Sequence, residues 1–193
     1  MRARLPVVGV LGSGSQPCEP QASTLGSWLA HIGVHLLTGG GRGVMESVSR
    51  GFCSVPERKG LSIGIIPARR DGETNAYAGP KSGYPNAYIE LPIQTHLHRS
   101  GDMGTDYSSR NHINILTSNL LIALPGGSGT SSEVLLAVTT YHRPVIAYVS
   151  DRVQIPNLPE CVRAESELEN IQKFIIANLT QEPGFEYSRL VGS

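Results

Sequence analysis

The chain has 193 residues, and its 16 lysines and arginines balance its 16 aspartates and glutamates, so the formal net charge is zero. This balance argues against non-specific binding to a nucleic-acid backbone, which depends on a clustered positive face. Charged residues make up only 17% of the sequence, whereas the 22 glycines and 13 prolines predict a globular protein rich in turns.

The apolar run at residues 5–11 does not have the pattern of a secretory signal, because it is short and interrupted by glycine. No stretch approaches the roughly 18–20 apolar residues of a membrane span. The three cysteines, Cys18, Cys53 and Cys161, are odd in number and form no C-x-x-C pair. Disulfide frameworks usually contain an even number of cysteines, and cysteine zinc sites usually contain C-x-x-C pairs. We therefore expect a cytoplasmic protein without membrane contact and without a bound metal.

Short, unbroken apolar runs alternate with segments in which apolar residues recur every three or four positions. The runs predict buried strands, and the recurring pattern predicts helices with one apolar face. In the first half we predict a strand at Val7–Leu11, a helix carrying Leu25, Trp28, Leu29 and Ile32, a strand at 34–37, a helix carrying Val44, Met45, Val48 and Phe52, and a strand at 61–66. In the second half we predict a helix at about 109–116, a strand at 120–124, a helix at about 131–141 with Val134, Leu135 and Val138 inward, a strand at 145–149 and a helix at 165–179.

Buried strands separated by helices are typical of a parallel sheet that is covered on both faces. We predict an α/β fold, a Rossmann-like doubly wound parallel sheet in three layers (α/β/α), and a single domain over residues 1–193. The segment 69–107 interrupts the alternation and is rich in Gly, Pro, Asn and Tyr. We expect a long inserted loop there, with one short strand at about 88–91. Loops of this length are usually either functional covers or disordered.

Three glycine-rich loops follow predicted strands, at residues 12–17 (GSGSQP), 38–43 (TGGGRG) and 125–129 (PGGSG). Because doubly wound sheets bind ligands beyond the carboxyl ends of their strands, the loops are expected to meet at one edge of the sheet. Glycine lets backbone N–H groups approach an anion, and the N-terminus of a following helix favours negative charge. The three loops therefore predict a phosphorylated small molecule as the ligand.

The spacing of these glycines disfavours two common nucleotide sites. The first loop lacks the third glycine of G-x-G-x-x-G, and no acidic residue ends the second strand, so a dinucleotide cofactor is disfavoured. None of the loops contains G-K-[ST], which excludes a P-loop nucleotidase.

Two charged residues lie beside the loops. Thr130 and Glu133 fit a capping box, with Thr130 as the N-cap, and this interpretation accounts for Glu133 without catalysis. Arg110 lies near the start of its predicted helix, where the helix dipole does not favour a cation. An arginine at that position suggests an anionic partner.

The segments 38–46 (TGGGRGVME) and 125–133 (PGGSGTSSE) resemble the signatures of the LOG (LONELY GUY) family, whose members were long labelled as lysine decarboxylases. The resemblance covers about residues 7–149. It implies a Rossmann-like homodimer or homotetramer that hydrolyses the N-glycosidic bond of a nucleoside 5′-monophosphate, releasing the free base and ribose 5-phosphate. The family's catalytic carboxylate and arginine fall on Glu133 and Arg110, and no cofactor is required.

The loops and the resemblance together define the expected phosphate and ligand site. Met45 and Tyr107 are candidates for the wall against which a base would lie. The expected ligand-binding residues are Gly12, Ser13, Gly14, Gly39, Gly40, Gly41, Gly43, Met45, Arg110, Asn111, Pro125, Gly126, Gly127, Ser128, Gly129, Thr130 and Glu133.

One motif departs from the hydrolases. Active members read R-K at the arginine motif, whereas this chain reads Arg110-Asn111. The segment 110–119 (RNHINILTSN) is more similar to the molybdenum cofactor carrier proteins, which share the fold and bind a phosphorylated pterin without hydrolysing it. The resemblance therefore leaves two interpretations, a nucleoside monophosphate hydrolase and a carrier that binds molybdenum cofactor as its ligand.

Overall fold

The computed structural model describes residues 4–182, the side chain of residue 102 excepted, and strands alternate with helices along most of this range. The strands are β1 (Val7–Leu11), β2 (His35–Thr38), β3 (Ser62–Ile66), β4 (Ala68–Arg70), β5 (Tyr77–Pro80), β6 (Leu91–Gln94), β7 (Leu120–Ala123), β8 (Val145–Tyr148) and β9 (Arg163–Glu165). The α-helices are α1 (Gln21–His31), α2 (Val44–Cys53), α3 (Asn111–Thr117), α4 (Ser128–Thr139) and α5 (Leu168–Leu179). Short 3₁₀ turns occur at Gly101–Met103 and Arg152–Gln154.

Seven strands of the described range form one parallel sheet in the order β6-β3-β2-β1-β7-β8-β9. From β1 the chain moves outward through β2, β3 and β6, and then returns to β7 on the other side of β1. The remaining strands continue outward from β7 in the opposite direction. The strand order therefore reverses between β1 and β7, which is the position where doubly wound sheets bind ligands.

Helices cover both faces of this sheet. On one face α1, α2 and α5 pack on the strands through fully buried side chains such as Leu25, Phe52 and Ile175. On the other face α3 and α4 pack through Ile115 and Val134. Because neither face meets water, the strands have unbroken apolar sequences, and the predicted three-layer α/β fold is confirmed.

The inserted segment 69–107 contains more regular structure than the expected loop. β4 and β5 form an antiparallel hairpin, and β6 extends the main sheet beside β3. The strand expected at 88–91 is wrong in position, because the residues that pair are Leu91–Gln94. All four residues of β6 are exposed and one of them is proline, so its sequence lacks the apolar pattern of a buried strand.

Three details of the later elements also differ from expectation. α4 begins at Ser128 with Gly127 as its N-cap and without a side-chain cap, so the expected Thr130–Glu133 capping box is wrong. Leu135 does not face inward, because it lies on the outer side of α4 with 46% of its surface exposed. β9 ends at Glu165, where a helix was expected to begin, and α5 begins only at Leu168. Of the helices in residues 4–182, none has both the length and the apolar character needed to cross a membrane.

Candidate functional site

A cavity of about 390 Å³ opens at the carboxyl ends of β1 and β7, where the strand order reverses. This volume lies within the range of roughly 300–1,000 Å³ that is usual for small-molecule sites. All three glycine-rich loops contribute to the wall. The expected residues that line the cavity are Gly12, Ser13, Gly14, Gly39, Met45, Arg110, Asn111, Gly127, Ser128, Gly129, Thr130 and Glu133.

The first glycine loop is held in place by its two neighbours. The backbone N–H of Ser13 donates to the carbonyl of Pro125 (3.0 Å), and the carbonyl of Ser13 accepts from the N–H of Val44 at the start of α2 (2.9 Å). Gly43, the N-cap of α2, has a φ of 63°, and a Cβ there would overlap the backbone of Ser13. Only glycine fits this conformation and this close approach. The loops therefore form one connected surface.

α4 begins at the cavity. Residues 127–129 line it, and Gly127 caps the helix without a side-chain hydrogen bond. The first N–H groups of an α-helix have no acceptor within the helix, and the helix dipole adds partial positive charge at that end. A Cβ on Gly126 would overlap the hydroxyl of Thr130, so glycine lets this loop lie directly against the first turn. The start of α4 can therefore bind a phosphate through backbone N–H groups.

Arg110 supplies a buried positive charge to the lining of the same cavity. It is the N-cap residue of α3, and it is only 5% exposed. Its Nε and Nη1 find no hydrogen-bond partner among residues 4–182. The guanidinium lies against Gly39, where a Cβ would overlap it, and 5.7 Å from the centre of the Tyr84 ring. Because a buried cation is unfavourable without a hydrogen-bonded counter-charge, this arrangement favours an anionic ligand.

Glu133 faces the same cavity from the second turn of α4, one turn after Thr130. Burial raises the pKa of its carboxyl from 4.5 to about 7, although the charge of Arg110 and the neighbouring amide of Asn114 both lower it. The side chain keeps some exposure because one side of it opens into the cavity. A carboxyl that titrates near neutral pH inside a ligand cavity can act as a proton donor or acceptor.

The inserted segment contributes lining residues that no sequence motif marks. Lys81, Tyr84, Ser100 and Gly101 close one side of the cavity. Lys81 Nζ donates a hydrogen bond to Ser100 Oγ (3.2 Å), which joins the two halves of the segment. In the sequence the segment is conspicuous for its Gly, Pro, Asn and Tyr residues, and composition does not say which residues of a segment reach a site.

The other expected residues lie behind the cavity wall and support it. The carbonyls of Gly40 and Gly41 accept hydrogen bonds from the backbone N–H (2.8 Å) and the side-chain amide (2.7 Å) of Asn86. Pro125 and Gly126 hold the first and third loops through backbone hydrogen bonds.

Tyr107 is not among the lining residues; it is 89% exposed and stacks on His112 with ring centres 5.4 Å apart. Of the two residues considered for the wall beside a ligand's ring, Met45 is the one that lines the cavity. Within the part of the chain that the structure describes, no three His, Cys, Asp or Glu side chains are placed to hold a metal ion.

The fold and the glycine loops are those of the LOG superfamily, so the resemblance seen in the sequence is confirmed. More specifically, the chain belongs to the SLOG cluster4 family, whose model matches residues 5–181. An uncharacterized protein of Archaeoglobus fulgidus is 31% identical over 139 residues, which cover 70% of this chain and 75% of that protein.

Two solved structures show the same fold over nearly their whole length. The molybdenum cofactor binding protein from the phototrophic bacterium Rippkaea orientalis is 32% identical, with a TM-score of 0.69 over 90% of this chain and 97% of that one. The Moco carrier protein from Chlamydomonas reinhardtii is 27% identical, with a TM-score of 0.68 over 92% of this chain and 99% of that one.

Proposed function

We propose that this protein binds the molybdenum cofactor, a phosphorylated pterin, at the carboxyl edge of its sheet and holds it without hydrolysing it. The observation that carries the proposal is the buried guanidinium of Arg110, whose Nε and Nη1 have no partner in residues 4–182. It lines the same cavity as the start of α4. A phosphate monoester carries a charge of about −1.5 to −2 at neutral pH, so it suits both groups.

The choice of a pterin rests on the relatives and on the arginine motif. Both solved structures described above are named for molybdenum cofactor. The segment that begins with Arg110-Asn111 is the one that resembles the carrier proteins, and Asn111, 3% exposed, lines the cavity. We assign the ligand's phosphate to the N–H groups of residues 127–129 and to Arg110. Met45 and the first glycine loop are assigned to the ring system, because a thioether packs well on aromatic surfaces.

The test is retention of the ligand by the purified protein. The protein is mixed with molybdenum cofactor, passed through a desalting column, and the bound pterin is measured by its fluorescence after oxidation. We expect one pterin per chain, and retention about tenfold lower for Arg110→Met, because a charge-assisted contact is lost. The matched control is Arg50→Met, which removes an exposed arginine of α2 that does not line the cavity. If the wild type retained no more pterin than the Arg110→Met variant, this proposal would be wrong.

A second candidate is hydrolysis of the N-glycosidic bond of a nucleoside 5′-monophosphate, and the position of Glu133 favours it. In that reaction the carboxylate would stabilise the oxocarbenium-like ribosyl centre and accept a proton from the attacking water, as carboxylates do in glycoside cleavage. Incubation with AMP and with isopentenyl-AMP, followed by chromatography of the free base, tests this directly. No turnover above that of Glu133→Gln would exclude it.

We also propose that the protein is an oligomer, folds as a single domain and is located in the cytoplasm. The family resemblance supports a homodimer or homotetramer, which light scattering measures, and the family match over residues 5–181 supports a single domain. The three cysteines, all free in the structure, suit a reducing cytoplasm.

A further inference from the structure

The inserted segment brings a second positive charge to the mouth of the cavity. Lys81 follows β5, and its ammonium donates to the hydroxyl of Ser100, with both residues lining the cavity. Ser100 precedes the 3₁₀ turn at Gly101–Met103, whose first residue packs on the start of α4. A Cβ on Gly129 would lie only 3.3 Å from the α-carbon of Gly101. The Lys81 ammonium is therefore held on the side of the cavity where α4 begins.

The backbone around Lys81 is fixed by contacts with the body of the protein. Its N–H donates to the carbonyl of Pro67 (2.9 Å), and its carbonyl accepts from the N–H of Tyr84 (3.1 Å). The ring of Tyr84 lies 5.7 Å from the guanidinium carbon of Arg110, so the turn that carries Lys81 also lies beside Arg110. Asn86 ties the end of this turn to the second glycine loop. Lys81 therefore has a defined place relative to Arg110.

We propose that Lys81 is a specificity-determining residue, which together with Arg110 and the start of α4 selects ligands that carry a phosphate monoester dianion. This inference rests on the proposed function, because it names the part of the ligand that the cavity recognises. The charged side chains lining the cavity, among the side chains that the structure describes, are Lys81, Arg110 and Glu133. A dianion balances both cations, whereas an uncharged ligand leaves Lys81 and Arg110 with the Glu133 carboxyl as their one negative partner in the described lining. Lysine suits this role, because its flexible stem carries a compact charge to the phosphate.

The experiment compares phosphorylated probes with their dephosphorylated counterparts. One pair is the fluorescent iodine-oxidised derivative of molybdopterin, before and after phosphatase treatment, and the other is AMP and adenosine. Dissociation constants are measured for the wild type, Lys81→Met, Lys81→Arg and Lys59→Met. Lys59 is the matched control, because it is exposed and precedes β3 at the amino edge of the sheet, away from the cavity.

We expect Lys81→Met to weaken binding of a phosphorylated probe about tenfold and to leave the dephosphorylated one unchanged. Lys81→Arg should restore most of the loss, and Lys59→Met should have no effect. Equal weakening of both members of a pair, or no weakening, would overturn the role of Lys81. If only the AMP pair binds and shows the loss, the role of Lys81 stands and the pterin ligand fails. If neither pair binds to the wild type, both proposals fail. Unchanged thermal melting temperatures of the Lys81 and Lys59 variants would confirm that their fold is intact.

Discussion

Replacing Glu133 with glutamine should stabilise the protein at pH 8 but change its stability little at pH 5. Burial in the cavity wall raises the pKa of the carboxyl from its ordinary 4.5 to about 7. The folded protein therefore holds this proton more tightly than the unfolded chain does. The stability that the group contributes is fully present below about pH 4.5 and is lost as the pH rises through about 7. Glutamine has the same shape but does not ionise, so the variant lacks this loss.

The magnitude follows from the two pKa values. The rise from 4.5 to about 7 corresponds to at most about 3 kcal/mol of unfolding free energy. Because the carboxyl is partly exposed to the cavity and keeps some of its water, we expect about 1 to 2 kcal/mol between pH 5 and pH 8.

The assay is urea denaturation at both pH values for the wild type, Glu133→Gln and Glu57→Gln. Glu57 lies exposed between α2 and β3, so its variant is the control for removing one carboxylate from the surface. If the difference between Glu133→Gln and the wild type were the same at pH 5 and pH 8, the carboxyl would not titrate in this range. The environment assigned to Glu133 would then be wrong.

Three further predictions concern the same cavity. Gly39→Ala places a methyl group where the Arg110 guanidinium lies. Titration calorimetry should therefore show at least about tenfold weaker binding of a phosphorylated probe. Unchanged affinity would contradict the role of Arg110. Asn86→Ala leaves the Gly41 carbonyl without its hydrogen-bond donor and should lower the free energy of unfolding, measured in urea, by about 1–3 kcal/mol. An unchanged free energy of unfolding would show that water replaces the amide. If the protein hydrolyses AMP, kcat should rise with pH and level off above about 7, because Glu133 must be ionised to act as a base. A kcat that falls over this pH range would contradict a carboxylate mechanism.

The buried strands of the sheet could be predicted, because each has an apolar pattern within its own few residues. β7 has the sequence LLIA, in which alternate residues face the two buried sides of the sheet, so every position is apolar. The exposed edge strand β6 and the three-residue strand β9 lack such a pattern. Their strand conformation depends on pairing with β3 and β8, whose partner residues lie 28 and 17 positions earlier in the sequence, outside the stretch that a local pattern covers.

Thr130 and Glu133 have the spacing of a capping box but lie inside α4 and not at its start. Their spacing matches a capping box, but α4 starts three residues earlier than expected, at Ser128. Two residues three apart inside a helix lie on the same face, so both side chains turn toward the cavity instead of capping the helix. The contacts of the glycine loop with Ser13 and the Gln154 carbonyl position this start.

The sequence by itself determined the alternation of strands and helices, the three glycine loops and the two charged residues Arg110 and Glu133, because each is written in a short stretch of chain. Only the tertiary structure decided that Lys81 and Tyr84 join them, that the Arg110 guanidinium is buried against Gly39, and that the Glu133 carboxyl titrates near neutral pH. These properties depend on burial and on contacts between segments distant in sequence, and such contacts exist only once the chain has folded around the cavity.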